Sequence, residues 1–269
     1  MVAEVDYLDL DGIEIEFLLT EASEETKDFP TLVFLHEGLG SIELWRKVPN
    51  LISQGLGDPQ MLVYSRPGYG NSTPIREDRP LTYMHIEAEE ILPKILSSLG
   101  ISSPILIGHS DGASIALIHA GAGFPVHSLV LIAPHVMVEG QSVAGIEAAR
   151  NAYLSTDLKE RLSRYHKDPD STFWGWNKVW LSEGFLQWNI EEYLPHIKVP
   201  TLVIQGDLDE YGTGAQIASI ESQVSGPVQS HIVAGAHHSP HLEATDEVVG
   251  RIVDFISTVS GSAVREGNK

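Results

Sequence analysis

Five consecutive residues, Gly108-His109-Ser110-Asp111-Gly112, place one serine between two glycines. A serine hydroxyl attacks a carbonyl carbon efficiently only when a base removes its proton and a carboxylate orients that base. The five residues directly follow the apolar run PILI and directly precede a stretch with helical periodicity. This strand, turn and helix context predicts a nucleophile elbow centred on Ser110. The alternative is a serine that only caps the helix beginning near Asp111.

Candidates for the base and the carboxylate occur in two stretches downstream of Ser110. The stretch TLVIQGDLDEYG ends a predicted strand, and its loop carries Asp207, Asp209 and Glu210. The stretch VAGAHHSPHLE follows the last predicted strand and carries His237, His238 and His241. Loops at strand ends commonly deliver catalytic groups. The residues by themselves leave open which carboxylate and which histidine act.

Short apolar runs that could position these groups alternate with amphipathic stretches along most of the chain. The runs TLVFL, MLVY, PILI, SLVLIA, TLVIQ and VQSHIV are typical of strands buried on both faces. Between them, apolar residues recur every three or four positions, as they do in amphipathic helices. The alternation predicts an α/β fold with a doubly wound, mostly parallel sheet, preceded by a hairpin at Asp11-Gly12. The active site of such a fold lies at the carboxyl ends of the strands.

One long segment, residues 137–198, interrupts this alternation. It lacks any strand-like run, contains successive helical stretches and holds four of the five tryptophans. We predict that it forms a helical lid inserted into an α/β core made of residues 1–136 and 199–269. Aromatic residues of this kind fill the lid's own core or line a pocket. We expect three of them to bind substrate, namely Trp174, Trp176 and Trp180.

The charge balance excludes several classes of partner. Acidic residues outnumber basic ones by 37 to 17, and the formal net charge is −20. Such a charge repels phosphate backbones and anionic membrane surfaces, so we expect neither nucleic acid nor a membrane as a partner. The chain begins without a signal-peptide pattern and contains no apolar run of about 18 residues, which predicts a cytoplasmic protein. The sequence leaves the oligomeric state open.

Motifs for metals and cofactors are incomplete. The chain has no cysteine, which excludes disulfides, thiolate metal sites and a cysteine nucleophile. The stretch HHSPH lacks the histidine pair and third ligand of a zinc site, and HEGLG departs from the H-E-x-x-H pattern at Gly40. The stretch DLDEYG lacks an oxygen ligand of a calcium loop at Tyr211. We therefore expect no metal and no cofactor.

These motifs, spread from about residue 31 to about residue 245, resemble those of the α/β-hydrolase fold family. In that family the acid commonly lies three residues after a strand-terminal glycine, and from Gly206 this implies Asp209. The family's histidine pattern is similar to HHSPHLE and implies His238 as the base. The order Ser110, Asp209, His238 is also the order of the family. The alternatives are Asp207 for the acid, and His237 or His241 for the base.

The same resemblance implies two backbone N–H donors for the oxyanion of an acyl-transfer reaction. The turn His36-Glu37-Gly38-Leu39 is similar to the family's His-Gly-x loop and implies a donor at Gly38. The second donor is the residue after the nucleophile, Asp111. Glu37 stands where the family usually has glycine, so the N–H of Glu37 or Leu39 is the alternative to that of Gly38.

Two carboxylates, Glu37 and Asp111, would then lie beside a site for developing negative charge. Ionised and pointing inward, they would repel the oxyanion and raise the barrier. We therefore expect Asp111, and Glu37 with it, to pack beneath the elbow, held by Arg66, His36 or backbone donors. The alternative for Asp111 is an exposed position that favours the helix dipole.

The combined expectation is a serine hydrolase acting on a small-molecule ester. It would cleave carboxylic esters or lactones of small to medium apolar or aromatic substrates through a Ser-His-Asp triad and an acyl-enzyme. Related folds also hydrolyse carbon-carbon bonds of ring-fission products, often with asparagine before the serine, where this chain has His109. A non-catalytic small-molecule receptor on the same fold is the other alternative.

Overall fold

An eight-stranded sheet forms the centre of the protein. The computed structural model describes residues 4–266. The strands are β1 (Val5–Leu10), β2 (Ile13–Leu19), β3 (Leu32–Leu35), β4 (Met61–Tyr64), β5 (Ile105–His109), β6 (Ser128–Ile132), β7 (Thr201–Gly206) and β8 (Val228–Val233). Their order across the sheet is β1-β2-β4-β3-β5-β6-β7-β8. Strands β1 and β2 pair antiparallel, as do β2 and β4, and all pairs from β4 to β8 are parallel. The predicted α/β architecture is confirmed.

Helices cover the sheet and connect its strands. They are α1 (Val48–Gly55), α2 (Tyr83–Ile86), α3 (Leu92–Ser98), α4 (Asp111–Gly121), α5 (Gly140–Ser155), α6 (Leu158–Leu162), α7 (Pro169–Trp180), α8 (Gly214–Gln223), α9 (Pro240–Glu243) and α10 (Thr245–Glu266). A π-helical turn, Glu87–Ile91, joins α2 to α3. Within the described chain, no helix combines the length and the apolar character that a membrane span requires.

Alternate residues of the central strands enter two different hydrophobic cores. In β3, Val33 and Leu35 pack in the core that contains α3 and α4. Their neighbours Leu32 and Phe34 point to the opposite face and pack in the core that contains α1 and α10. Side chains alternate between the faces of a strand, so a strand covered on both sides must be apolar at every position. This requirement explains the continuous apolar runs in the sequence.

The antiparallel end of the sheet is the predicted hairpin. Leu10 pairs with Ile13, which leaves Asp11 and Gly12 as a two-residue turn. Both turn residues have positive φ, 57° and 89°. Such a turn matches the right-handed twist of the flanking strands, and Asp-Gly is a favoured pair for it.

The segment between β6 and β7 is helical. It contains α5, α6, α7 and two short 3-10 helices, Phe185–Gln187 and Glu191–His196. Met137 and Asn189 form an isolated antiparallel bridge near its two ends. Several aromatic side chains of this segment, including Trp180 and Phe185, join the hydrophobic core on the α4 side of the sheet. The role of residues 137–198 as a lid stays a prediction.

Helix α4 is buried along its whole length and sits tightly on the sheet. A Cβ at Gly112 would overlap the carbonyl oxygen of Leu35 at the end of β3. Only glycine allows this approach of a helix to a strand end. The close packing brings the turn after β5 and the turn after β3 together at the carboxyl edge of the sheet.

Candidate active site

Ser110 occupies a strained turn between β5 and α4. Its φ is 53° and its ψ is −118°, a conformation that non-glycine residues rarely adopt. Its N–H donates to the carbonyl oxygen of Ile132 at 2.9 Å, which ties the turn to β6. A Cβ at Gly108 would overlap the backbone of Gly112, so the two glycines allow the strand and the helix to meet at this angle. The geometry is that of the predicted elbow, with Ser110 at its tip.

His238 connects Ser110 to Asp209. Its Nε2 lies 2.9 Å from the Oγ of Ser110, and its Nδ1 lies 2.8 Å from the Oδ1 of Asp209. An ionised carboxylate only accepts hydrogen bonds, so Nδ1 carries a proton and the Nε2 of the neutral ring accepts from the serine hydroxyl. This arrangement can remove the serine proton during nucleophilic attack.

The carboxylate of Asp209 is itself held by the loop after β7. Its Oδ1 also accepts from the N–H groups of Tyr211 at 2.8 Å and Gly212 at 3.2 Å, and its Oδ2 accepts from Gln205 at 3.2 Å. Burial by itself would raise the pKa of Asp209. The hydrogen bond and charge of His238, together with the Tyr211 N–H, outweigh burial and lower that pKa. Asp209 is therefore ionised at neutral pH.

The alternative acid and bases lie away from Ser110. Asp207 accepts a hydrogen bond from the N–H of Gly235 at 2.6 Å and braces that loop. His237 is exposed and pairs with Glu243 at 3.0 Å. His241 is buried, and its ring packs 4.5 Å from that of His109, centroid to centroid. Of the candidates, the structure brings Asp209 and His238 together with Ser110.

The carbonyl of Glu37 fixes the loop after β3. It accepts hydrogen bonds from His36 Nδ1 at 2.7 Å, a guanidinium nitrogen of Arg66 at 2.9 Å and the N–H of Gly40 at 3.1 Å. No peptide bond in residues 4–266 is cis. In a trans peptide the C=O and the following N–H point in opposite directions. The N–H of Gly38 therefore points away from these three donors.

Gly38 and Asp111 both line the cavity above Ser110. Neither backbone N–H donates a hydrogen bond to another group within the part of the chain that the structure describes. A Cβ at Gly38 would overlap the indole of Trp176, so a side chain at this position would displace that ring. The two N–H groups are thus available to a bound oxygen, and their role as oxyanion donors stays a prediction.

The side chain of Asp111 turns beneath the elbow. It is 1% exposed, and its Oδ2 accepts a hydrogen bond from the hydroxyl of Tyr83 at 2.6 Å. The same hydroxyl accepts from the indole N–H of Trp180 at 3.0 Å, and a guanidinium nitrogen of Arg66 lies 3.8 Å from Oδ2. Burial raises the pKa of Asp111 against the opposing effects of Arg66 and Tyr83. The expected burial of this carboxylate is observed, with Tyr83 as its hydrogen-bond donor.

Glu37 does not pack beneath the elbow, contrary to the expectation from the sequence. Its side chain is 28% exposed, lines the cavity and lies 3.5 Å from the Nδ1 of His109. Burial by itself would raise the pKa of Glu37, but His109 and His36 lower it well below its ordinary value. His109 also donates from Nε2 to the carbonyl oxygen of His238 at 2.8 Å. The carboxylate of Glu37 thus lies against His109, whereas Arg66 donates to the backbone carbonyl of the same residue.

The cavity above Ser110 has a volume of about 290 Å³. Apolar and aromatic side chains form much of its wall, namely Leu39, Ile146, Trp176, Trp180 and Tyr211. The third tryptophan expected to bind substrate, Trp174, is not part of this wall. Its ring packs edge-on against Tyr153 and Phe173 within the helical segment. In residues 4–266, no group of three or more His, Cys, Asp or Glu side chains could hold a metal ion.

Sequence patterns did not identify two residues at the site, Tyr83 and His135. Tyr83 lies 28 positions before Asp111, and nothing in its local pattern marks the partnership. His135 lines the cavity just beyond β6. Its position just after a strand-like run could have marked His135 as a candidate site residue, since loops at the carboxyl ends of strands carry functional groups.

Comparisons with known proteins show the family and the fold of the chain. A model described as "Alpha/beta hydrolase family" matches residues 32–251. The proline iminopeptidase of Lactobacillus helveticus is 22% identical, in an alignment that covers 86% of this chain and 91% of that protein. The enol-lactonase of Burkholderia xenovorans LB400 superposes with a TM-score of 0.72 at 19% identity, over 94% of this chain and all of that one. An esterase of Thermogutta terrifontis gives a TM-score of 0.70 at 16% identity, over 96% of this chain and all of that one.

Replacing Tyr83 with phenylalanine removes the hydrogen bond to the buried Asp111 carboxylate. We expect Tyr83→Phe to lower the free energy of unfolding by about 2 kcal/mol, because a buried carboxylate loses its donor. Chemical denaturation would measure the loss. The matched control is Tyr153→Phe, whose hydroxyl donates to the half-exposed Asp170 at 2.7 Å. Water can replace that bond, so its loss should cost below about 1 kcal/mol. Equal losses in the two variants would contradict a special role for Tyr83.

Proposed function

The chain belongs to the alpha/beta hydrolase family, and within it we propose a serine hydrolase that cleaves carboxylic esters or lactones through an acyl-enzyme. The observation that carries this proposal is the continuous contact from Ser110 through His238 to Asp209. A nucleophile, a base and an orienting carboxylate in this geometry are what acyl transfer by a serine requires.

The proposed reaction begins when Ser110 Oγ attacks the acyl carbon and His238 Nε2 takes its proton. The N–H groups of Gly38 and Asp111 stabilise the negative oxygen of the tetrahedral intermediate, while Asp209 stabilises the imidazolium. His238 then returns the proton to the leaving alkoxide, and the acyl group remains on Ser110. A water molecule then attacks the acyl-enzyme while His238 takes its proton. The acid is released, and His238 returns that proton to the Oγ of Ser110.

The cavity wall supports an apolar or aromatic substrate of small to medium size. Trp176, Trp180 and Ile146 line a space of about 290 Å³. Trp176 and Trp180 belong to α7, in the segment 137–198 that we propose acts as a lid. Closure by such a lid would limit the access of bulk water to the cavity while the ester bond is cleaved. Trp174 carries no proposed contact, because it packs within the segment.

A second candidate is cleavage of an amide at an amino-terminal residue. The relative that aligns with 86% of this chain is named a proline iminopeptidase. Three carboxylates that line the cavity, Glu37, Glu210 and Glu243, would attract a protonated amine. The same triad chemistry serves esters and amides, so only turnover measurements separate the two.

We expect a fluorophosphonate probe to label the native protein at Ser110, because the probe phosphonylates activated serines and loses fluoride. Ser110→Ala should abolish labelling, as read by intact-protein mass spectrometry. The matched control is Ser239→Ala, a second serine of the cavity wall, which should label like the native protein. A native protein that is not labelled would favour the receptor alternative.

Substitutions at Asp209 and at the neighbouring Asp207 test which aspartate is the acid of the triad. Asp209→Asn should lower kcat/KM for an ester by at least about 100-fold, because an amide cannot hold the imidazole in the right tautomer. Asp207→Asn, which alters only the hydrogen bond with the N–H of Gly235, should keep kcat/KM within about threefold of the native value. A larger loss in Asp207→Asn than in Asp209→Asn would show that the acid has been misassigned.

A substrate panel separates the bond types. The panel contains p-nitrophenyl acetate, butanoate, phenylacetate and hexadecanoate, δ-valerolactone, proline p-nitroanilide and a vinylogous 1,5-diketone of the ring-fission type. We expect the highest kcat/KM for the butanoate, the phenylacetate or the lactone, and the lowest ester rate for the hexadecanoate, whose chain exceeds the cavity. Faster turnover of the anilide or of the diketone would replace the ester assignment.

A further inference from the structure

His135 is a buried histidine of the cavity that the proposed reaction does not use. It lies three residues beyond β6, is 2% exposed, and shares the cavity wall with Ser110 and His238. The hydroxyl of Ser114, on α4, accepts from its N–H at 3.3 Å and donates to its carbonyl at 2.6 Å. The backbone of His135 is therefore anchored to the helix that carries the elbow.

Packing, rather than hydrogen bonding, holds the imidazole ring of His135. The ring lies edge-on to Trp180 at 5.3 Å and 5.6 Å from the ring of His238, centroid to centroid. A Cβ at Gly212 would lie 3.4 Å from its Cε1, so the loop after β7 supports the ring from a third side. The ring has little freedom to turn toward another partner.

The Nδ1 of His135 is fully buried without a hydrogen-bond partner in residues 4–266, whereas Nε2, which likewise bonds no residue there, keeps solvent-accessible surface. An atom that solvent cannot reach in the open cavity cannot be reached by a substrate either, so Nδ1 is not a binding group. Nε2 is the ring nitrogen that a bound substrate can reach, and no residue of the described chain competes for it.

The charge state of His135 defines the kind of group that it can bind. Burial, reinforced by the charge of His238, lowers the pKa of His135 to about 3 against the opposing effect of Asp209. The ring is therefore neutral at physiological pH, with one N–H donor and one acceptor nitrogen. A hydroxyl group can donate and accept, so it can hydrogen-bond Nε2 in either tautomer.

The remaining charges of the cavity argue against an anionic partner. Glu37, Glu210 and Glu243 line the same cavity, and no lysine or arginine with a described side chain does. A substrate carboxylate near His135 would meet repulsion without a compensating cation. An uncharged oxygen function fits both the imidazole and its surroundings.

We propose that His135 is a specificity-determining residue that hydrogen-bonds a hydroxyl group of the substrate beside the scissile ester. This inference rests on the proposed function and assigns its substrate class, which is hydroxylated esters rather than plain hydrocarbon esters. The ring of His135 lies next to that of His238, whose Nε2 contacts Ser110. The hydroxyl therefore belongs within two or three carbons of the acyl carbon, or on the second carbon of the alcohol.

The test compares esters that differ by one hydroxyl. Ethyl butanoate is the reference, and the hydroxylated partners are ethyl 2-hydroxybutanoate, ethyl 3-hydroxybutanoate and 2-hydroxyethyl butanoate, with proton release as the assay. We expect the native enzyme to favour at least one hydroxylated ester by about tenfold in kcat/KM, the value of one buried hydrogen bond. His135→Leu should reduce that ratio to about one, and His135→Gln should retain part of it.

A matched control uses a second buried histidine away from Ser110. His119 is 1% exposed, has an unpartnered Nε2 and packs on Phe124 outside the catalytic cavity. His119→Leu should leave the hydroxyl preference unchanged. If His135→Leu does not fold, as judged by circular dichroism, His135→Phe preserves the ring packing and removes both nitrogens.

Two results would overturn the inference. One is a native enzyme that hydrolyses all three hydroxylated esters no better than ethyl butanoate. The other is a preference that persists in a folded His135→Leu or His135→Phe protein. Fluorophosphonate labelling of Ser110 separates these results from a failure of the proposed function. Labelling together with no hydroxyl preference contradicts the role of His135 alone, whereas a native protein that is not labelled contradicts both.

Discussion

The positive φ of Ser110 is the constraint on which the rest of the site depends. A non-glycine residue in this conformation costs on the order of 1–3 kcal/mol, and surrounding contacts must hold it in place. The contacts here are the approach of α4 to β3 and β5, which only glycine at 108 and 112 permits, and the hydrogen bond from Ser110 to Ile132. In this conformation the hydroxyl of Ser110 lies within hydrogen-bond distance of the imidazole of His238.

Polar side chains beneath this turn connect it to two distant parts of the chain. The carboxylate of Asp111 meets the hydroxyl of Tyr83, which in turn meets the indole of Trp180 on α7. Arg66 donates to the carbonyl of Glu37 and lies near the same carboxylate. Buried charges are tolerated only when they are paired and hydrogen-bonded. The elbow, the loop after β3 and the helical segment therefore share one polar network, and a change in one alters the support of the others.

The two carboxylates near Ser110 differ in burial: Asp111 is buried beneath the elbow, whereas Glu37 is partly exposed at the cavity wall. Asp111, next to the serine, is turned beneath the elbow and accepts a hydrogen bond from Tyr83. Glu37 stays at the cavity wall, where His109 contacts it. The backbone N–H groups of Gly38 and Asp111, which lie at the same cavity, are dipoles that need no counterion. In the reaction that we propose, they would stabilise negative charge without a basic side chain.

The local sequence determined the strands, the elbow and the hairpin, because these features depend on short-range properties. Continuous apolar runs are required of strands covered on both faces, and glycines at 108 and 112 are required by backbone contact. The resemblance of the motifs to a known family supplied the order of Ser110, Asp209 and His238. Neither source identified Tyr83 as the partner of Asp111, since no local pattern relates residues on different helices.

Only the tertiary structure decided where the remaining side chains point. Asp207 and Asp209 are two positions apart and chemically identical, and the fold of the loop turns one to Gly235 and the other to His238. The sequence grouped Glu37 with Asp111, but Arg66 donates to the backbone carbonyl of Glu37, and the Glu37 carboxylate lies against His109. His135 lines the cavity because of its place in the fold, where Trp180, His238 and Gly212 surround its ring. Residue type and spacing determine which groups reach the edge of the sheet, whereas competition for partners in three dimensions decides what each group does there.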